Sequence, residues 1–141
     1  MKLNDHQLEA CAYIFEIDLG NDHKDFRQDI IGSSGIANYS PEELEKSILQ
    51  GLENSSFSDN NLRTSAYWAL SKRFNRSLIP LFKKYLRFEL SNQNTRPLFQ
   101  LMIALNNMEE PVFSPSRTGF ANFETELNMR DAELYLKENS V

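Results

Sequence analysis

Leu62-Arg63-Thr64-Ser65-Ala66-Tyr67-Trp68-Ala69-Leu70 returns to apolar residues at three- and four-residue intervals, which gives a helix one apolar face. Ala69-Leu70 recurs 35 residues later as Ala104-Leu105, and in both places an apolar residue (Ala66, Leu101) stands three positions before the alanine. A period of that size belongs to stacked helix pairs, because one pair cannot bury its apolar face alone. The quoted stretch predicts a helix from near Asp59 to about Phe74. The next spans Ser77 to about Leu90, with Pro80 in the first turn, where a missing amide hydrogen costs least. Thr95-Arg96-Pro97 opens another in the same way, ending near Met108.

Towards the amino terminus the same reading continues. Ser40-Pro41-Glu42-Glu43 combines a cap, a first-turn proline and an acidic capping-box residue, opening a helix through about Leu52. Gly32-Ser33-Ser34-Gly35 reads as a loop, preceded by a short segment from Asp22 to Ile31. Leu8, Cys11, Ala12, Phe15 and Leu19 form the stripe of a first helix, capped by Asn4 or Asp5. Towards the carboxyl terminus the pattern breaks. Pro111, Pro115 and Gly119 punctuate Val112, Phe113, Phe120 and Phe123, so residues 109–125 read as an irregular segment with aromatic anchors or a short hairpin. A last helix from about Asn128 to Asn139 puts Ala132, Tyr135 and Leu136 on one face. No run alternates apolar and polar residues as a half-buried strand does, so the fold class expected is all-α.

The length of 141 residues suits a single domain, and 40% hydrophobic with 25% charged residues is the composition of a chain that folds. The apolar stretch from Leu8 to Leu19 is interrupted by Glu9, Glu16 and Asp18, which fits neither a signal peptide nor a membrane span; the expected location is cytoplasmic. The one cysteine, Cys11, has no internal partner and reads as a small buried hydrophobe. The net charge of −5 is unevenly spread: residues 1–57 carry 4 basic and 11 acidic side chains, residues 58–108 carry 8 and 2, and residues 109–141 carry 3 and 7. Such fields steer partners more than they stabilise folds.

Leu62 to Leu70 resembles the first helix of a HEAT repeat, and Ile79-Pro80-Leu81-Phe82 through Leu86 resembles the second. The resemblance covers residues 62–105 and extends to the Pro41–Leu52 helix, but not to the amino terminus or the tail. Ser71 stands where the family usually has glycine, and Asn75-Arg76 where it usually has Asp-Pro. The resemblance implies a short right-handed α-solenoid of HEAT-like helix pairs, about seven helices in all, with a broad exposed surface for binding a macromolecule.

Catalytic signatures are missing. His6 and His23 lie in polar sequence with no second histidine or cysteine pair at ligand spacing, so neither a metal nor a cofactor is expected. The Gly32–Gly35 stretch lacks the lysine and the preceding strand of a phosphate loop, and Glu42-Glu43 and Glu109-Glu110 point about 100° apart on a helix. The expectation is a protein that is not an enzyme. Nucleic acid is the rival partner, since Arg63, Lys72, Arg73, Arg76, Lys83, Lys84 and Arg87 are interleaved with Tyr67, Trp68 and Tyr85; the acidic whole disfavours it.

Trp68 lies near 240° when Leu62 is set at 0°, away from the stripe of Ala66, Ala69, Leu70 and Phe74. Either it is an exposed binding anchor flanked by Ser65 and Lys72, or a neighbouring helix or the tail with Phe113 and Phe120 covers it. A small, acidic, site-poor chain of this kind resembles the immunity proteins of bacterial toxin systems such as contact-dependent growth inhibition. That resemblance implies a protein partner, the cognate toxin domain, whose active surface is blocked. A nuclease would suit, because its substrate-binding surface must be basic. The residues expected to meet it are Glu16, Asp18, Asp22, Asp25, Asp29, Glu42, Glu43 and Glu45, with Trp68 and Lys72. A scaffold subunit of an enzyme complex is the remaining alternative.

Overall fold

Asn4 starts the first helix. Its side chain accepts the Gln7 amide at 2.8 Å while the Gln7 side chain accepts the Asn4 amide at 3.0 Å, so two orphan donors are satisfied reciprocally. In the computed structural model, which describes residues 1–139, this helix is α1 (Asp5–Asp18). It is followed by α2 (Phe26–Ser33), α3 (Pro41–Glu53), α4 (Asn60–Ser71), a short 3-10 turn (Arg76–Leu78), α5 (Ile79–Ser91), α6 (Thr95–Asn107) and α7 (Thr125–Glu138). Among the described residues there is no strand, and the protein is all-α. The predicted box at Ser40 and Glu43 is present, and Asp59 caps α4 through the Leu62 amide at 2.7 Å.

The chain divides into two compact units, Met1–Phe74 and Asn75 onward. In the first, α1 packs against α2, α3 and α4, and α3 also meets α4. Contact on three sides explains why α1 buries Leu8, Ala10, Cys11, Ala12, Tyr13 and Phe15, more than a single stripe. Cys11 is fully buried, and burial pushes its thiol up to about 12, so it stays a neutral, inert hydrophobe. Leu44 and Ile48 of α3, Phe57, and Ala66, Tyr67, Ala69 and Leu70 of α4 complete this core.

Gly51 is buried in α3 because Phe57 packs against its α-carbon. A β-carbon there would lie 2.5 Å from Phe57 Cε2 and 2.8 Å from Cζ. Alanine would gain about 1 kcal/mol of helix propensity, but the buried ring cannot yield freely and overpacking costs about 1–3 kcal/mol. Gly51→Ala is therefore expected to lower the urea midpoint, and an unchanged or raised midpoint would mean that Phe57 is not held against this helix.

In the second unit α5 packs on α6 and α7, and α6 on α7. Phe82, Tyr85 and Leu86 meet a core containing Leu98, Leu101, Met102, Leu105, Val112, Ala132 and Tyr135. The segment between α6 and α7 contains turns and no hairpin. Val112 and Phe113 are buried, and Phe113 stacks on Phe120 at 3.9 Å and meets Phe99 edge-on at 6.1 Å, so these residues anchor the segment, whereas Phe123, 83% exposed, does not.

Several boundaries differ from the sequence reading. The α2 helix begins at Phe26, not Asp22, because Asp25 caps it by accepting the Arg27 amide at 3.0 Å. It runs through Gly32 and Ser33, leaving a shorter loop in which Gly35 takes a φ of 79°. The spacing puts Phe74 on the apolar stripe, but α4 ends at Ser71 and Phe74 turns out at φ 49° with 49% of its surface exposed. The last helix starts at Thr125. Arg117 holds Glu124 at 3.1 Å and Asn128 donates to the Ala121 carbonyl at 3.0 Å, ties that periodicity does not reveal.

Candidate partner-binding surface

Tyr13 is the centre of a cluster that joins three elements of the first unit. It lies about 140° from the start of its helix's apolar stripe at Leu8, and from the edge of the core its ring reaches Phe26 of α2 on one hand and Trp68 of α4 on the other. Its ring is edge-on to His23 at 5.9 Å, Phe26 at 6.2 Å and Trp68 at 6.0 Å. Arg27 lies 5.7 Å from the Tyr13 ring and 5.4 Å from Phe26, and Lys72 lies 5.9 Å from Trp68. Trp68 is half-buried, whereas Phe26 is 56% exposed. Tyr13 and Lys72 thus both approach Trp68, which keeps part of its surface exposed. The Tyr13 hydroxyl donates to Glu9 at 2.7 Å; burial first, then this bond to a carboxylate and its charge, push the phenol up to about 12, so it remains a neutral donor.

The predicted acidic residues do not form one patch. Glu16 and Asp25 border the aromatic cluster, through His23 at 3.4 Å and Arg27 at 3.2 Å respectively. Asp18 and Glu45 instead converge on Arg73, at 3.2 and 3.1 Å. Arg73 is mostly buried and lies 5.3 Å from the Phe15 ring, so this group ties α1 and α3 to the end of α4. Glu43 belongs to the capping box of α3, next to the exposed Glu42, and Asp29 lies exposed in the first turn of α2; both helix starts favour negative charge. Asp22 pairs loosely with Lys24 at 3.4 Å on open surface.

The chain finds no match among protein-family models, curated proteins or solved structures.

The sequence reading passed over Tyr13, Phe26 and Arg27. The available signal was that Tyr13, like Trp68, is an aromatic off its own helix's stripe, and two such residues on different helices are candidates to meet. His23, placed in polar surroundings by its neighbours in sequence, has a side chain only 10% exposed.

Other chemistry has less to build on. Among the described residues no group of three or more His, Cys, Asp or Glu side chains is arranged to hold a metal ion. His6 Nε2 and Ser33 Oγ are 2.9 Å apart, a pairing the sequence did not announce, but Ser33 is the last residue of α2 and its hydroxyl donates to the Ile30 carbonyl at 3.3 Å. A helix C-terminus presents carbonyl oxygens, the wrong polarity for an oxyanion. In the second unit a cleft of about 150 Å³ bordered by Phe113, Asp131, Leu134 and Tyr135 is smaller than the roughly 300 Å³ at which small-molecule pockets begin. Several of the basic residues are committed internally: Arg63 to the Phe57 and Ser58 carbonyls, Arg76 to the Met108 carbonyl, Lys83 to the Asn139 carbonyl. No helix among the described residues is long and apolar enough to cross a membrane.

Proposed function

We propose that the chain is a protein-binding immunity protein that neutralises a cognate bacterial toxin domain, of nuclease type, by covering its basic active surface in the cytoplasm. The observation that carries this reading is the Tyr13–Phe26–Trp68 cluster on a unit with 7 basic and 12 acidic side chains. The half-buried Trp68 and the exposed Phe26, backed by the buried Tyr13, supply dissociation resistance, and the surrounding charge supplies steering. A short solenoid of HEAT-like pairs is the architecture that this function would use.

Surface-plasmon kinetics with the toxin domain encoded beside this gene would test it, together with rescue of growth. Trp68→Ala is expected to raise the dissociation rate about 30-fold, the effect of a hot-spot residue. Neutralising Asp22, Asp25 and Asp29 together is expected to slow association about tenfold at low salt and much less at physiological salt. Asparagine is the replacement at Asp25, since it also caps a helix. No binding to that domain, or binding to DNA at comparable concentration, would replace this reading with the nucleic-acid one. Binding with a salt-independent association rate would remove steering from it.

A further inference from the structure

His23 sits in the link between α1 and α2, beneath the same aromatic cluster. Its side chain is nine-tenths buried, and the groups facing it are Tyr13 and Glu16 of α1 and Arg27 of α2. Arg27 Nη1 lies 3.3 Å from His23 Nδ1. A guanidinium only donates, so Nδ1 must be the acceptor and the ring proton must sit on Nε2. That Nε2 is buried 3.4 Å from Glu16 Oε1 without a well-directed hydrogen bond. The neutral ring therefore satisfies one nitrogen and under-serves the other. The same Arg27 nitrogen is also 3.2 Å from Asp25 Oδ2.

We propose that His23 is a proton-operated latch on the Tyr13–Phe26 surface: neutral, it holds Arg27 over the rings, and protonated, it releases Arg27 to Asp25 and closes on Glu16. A second ring proton would occupy Nδ1 and face the guanidinium, turning an acceptor into a like charge. The same proton makes the Nε2 contact with the Glu16 carboxylate charge-assisted. Histidine is the side chain whose charge changes between about pH 5 and 8. The latch regulates the surface proposed above and takes its biological meaning from that reading: Glu16 is neutralised and Arg27 displaced, so a basic partner is held less well in acid.

The test is nuclear magnetic resonance on the free protein from about pH 8 to pH 5. Long-range nitrogen–proton spectra are expected to report the Nε2–H tautomer at the basic end. The Arg27 Nε–H and the ring protons of Tyr13 and Phe26 are expected to shift with the same midpoint as His23, and to stay fixed in His23→Gln. An Nδ1–H tautomer, or Arg27 and Phe26 signals that ignore the His23 titration, would overturn the latch, and neither result needs the variant to fold. Binding to the toxin domain, compared at the two ends of the range, is expected to weaken in acid for the native chain only. Failure to bind at any pH would sink the immunity reading, while the free-protein spectra would still decide the latch.

Discussion

Leu70→Ala and Phe82→Ala are each expected to destabilise the protein by about 2–5 kcal/mol. Both side chains are only 1% exposed, Leu70 on α4 in the first unit and Phe82 on α5 in the second. Truncation removes the transfer free energy of the lost carbons and leaves a cavity that helices pinned by several neighbours do not close. Against a total stability of about 5–15 kcal/mol, such a loss leaves a protein near its limit. Urea melts would measure it, with Trp68, the only tryptophan, reporting on the first unit and circular dichroism on all helices. A loss below about 0.5 kcal/mol for both would place these residues outside the cores.

Asp131→Ala is expected to cost about 3–5 kcal/mol, because it leaves the buried Arg117 with only the partly exposed Glu124, 3.1 Å away, as counter-charge. The Asp131 and Arg117 side chains are 1% and 5% exposed. Asp131 Oδ2 accepts the Ser114 amide and Arg117, each at 3.0 Å, and Oδ1 accepts Arg130 at 3.2 Å. Arg117 also reaches Asn128 at 2.9 Å and lies 5.4 and 5.5 Å from the Phe113 and Phe120 rings. The group therefore fixes the irregular segment to α7. Replacing both charges, as in Arg117→Met with Asp131→Leu, is expected to recover much of the loss, since an ion pair can be exchanged for apolar packing more cheaply than it can be halved. If the double variant is as unstable as the single one, the penalty comes from lost shape and not from unpaired charge.

Burial alone would raise the Asp131 carboxyl, but the Ser114 amide, Arg117 and Arg130 outweigh it and hold the group below its ordinary value of 3.8. With the folded value depressed, the unfolded chain binds the proton more readily. The contribution is then complete above 3.8 and is lost as the pH falls through the lower folded value. Acid titration should therefore disturb the Phe113–Phe120 stack, and Asp131→Asn should flatten that part of the profile.

The candidate surface was only partly legible in sequence. Trp68 and Lys72 were readable because an aromatic and a cation one turn apart lay off the apolar stripe of a strongly periodic helix. Phe26 was not, since it opens α2 beside a cap and carries no periodicity of its own. Equal weight on eight acidic residues was a consequence of reading charge without geometry: Asp18 and Glu45 pair with Arg73, 55 and 28 residues away, and Glu43 serves its own helix start.

The sequence by itself determined the helices. Caps such as Asn4, Ser40 and Asp59, the first-turn prolines Pro41 and Pro80, and apolar spacing are all local, and local hydrogen bonds and sterics act whatever the rest of the chain does. Tertiary structure alone decided which helices pair. The α1 helix packs on α4 as well as on its neighbours, and the Leu62–Leu70 and Ile79–Leu86 segments likened to one repeat belong to different compact units. Burial of apolar area is non-directional and does not name a partner, so the choice falls to shape: Phe57 against Gly51, Tyr13 against Trp68, Arg117 between Phe113 and Phe120.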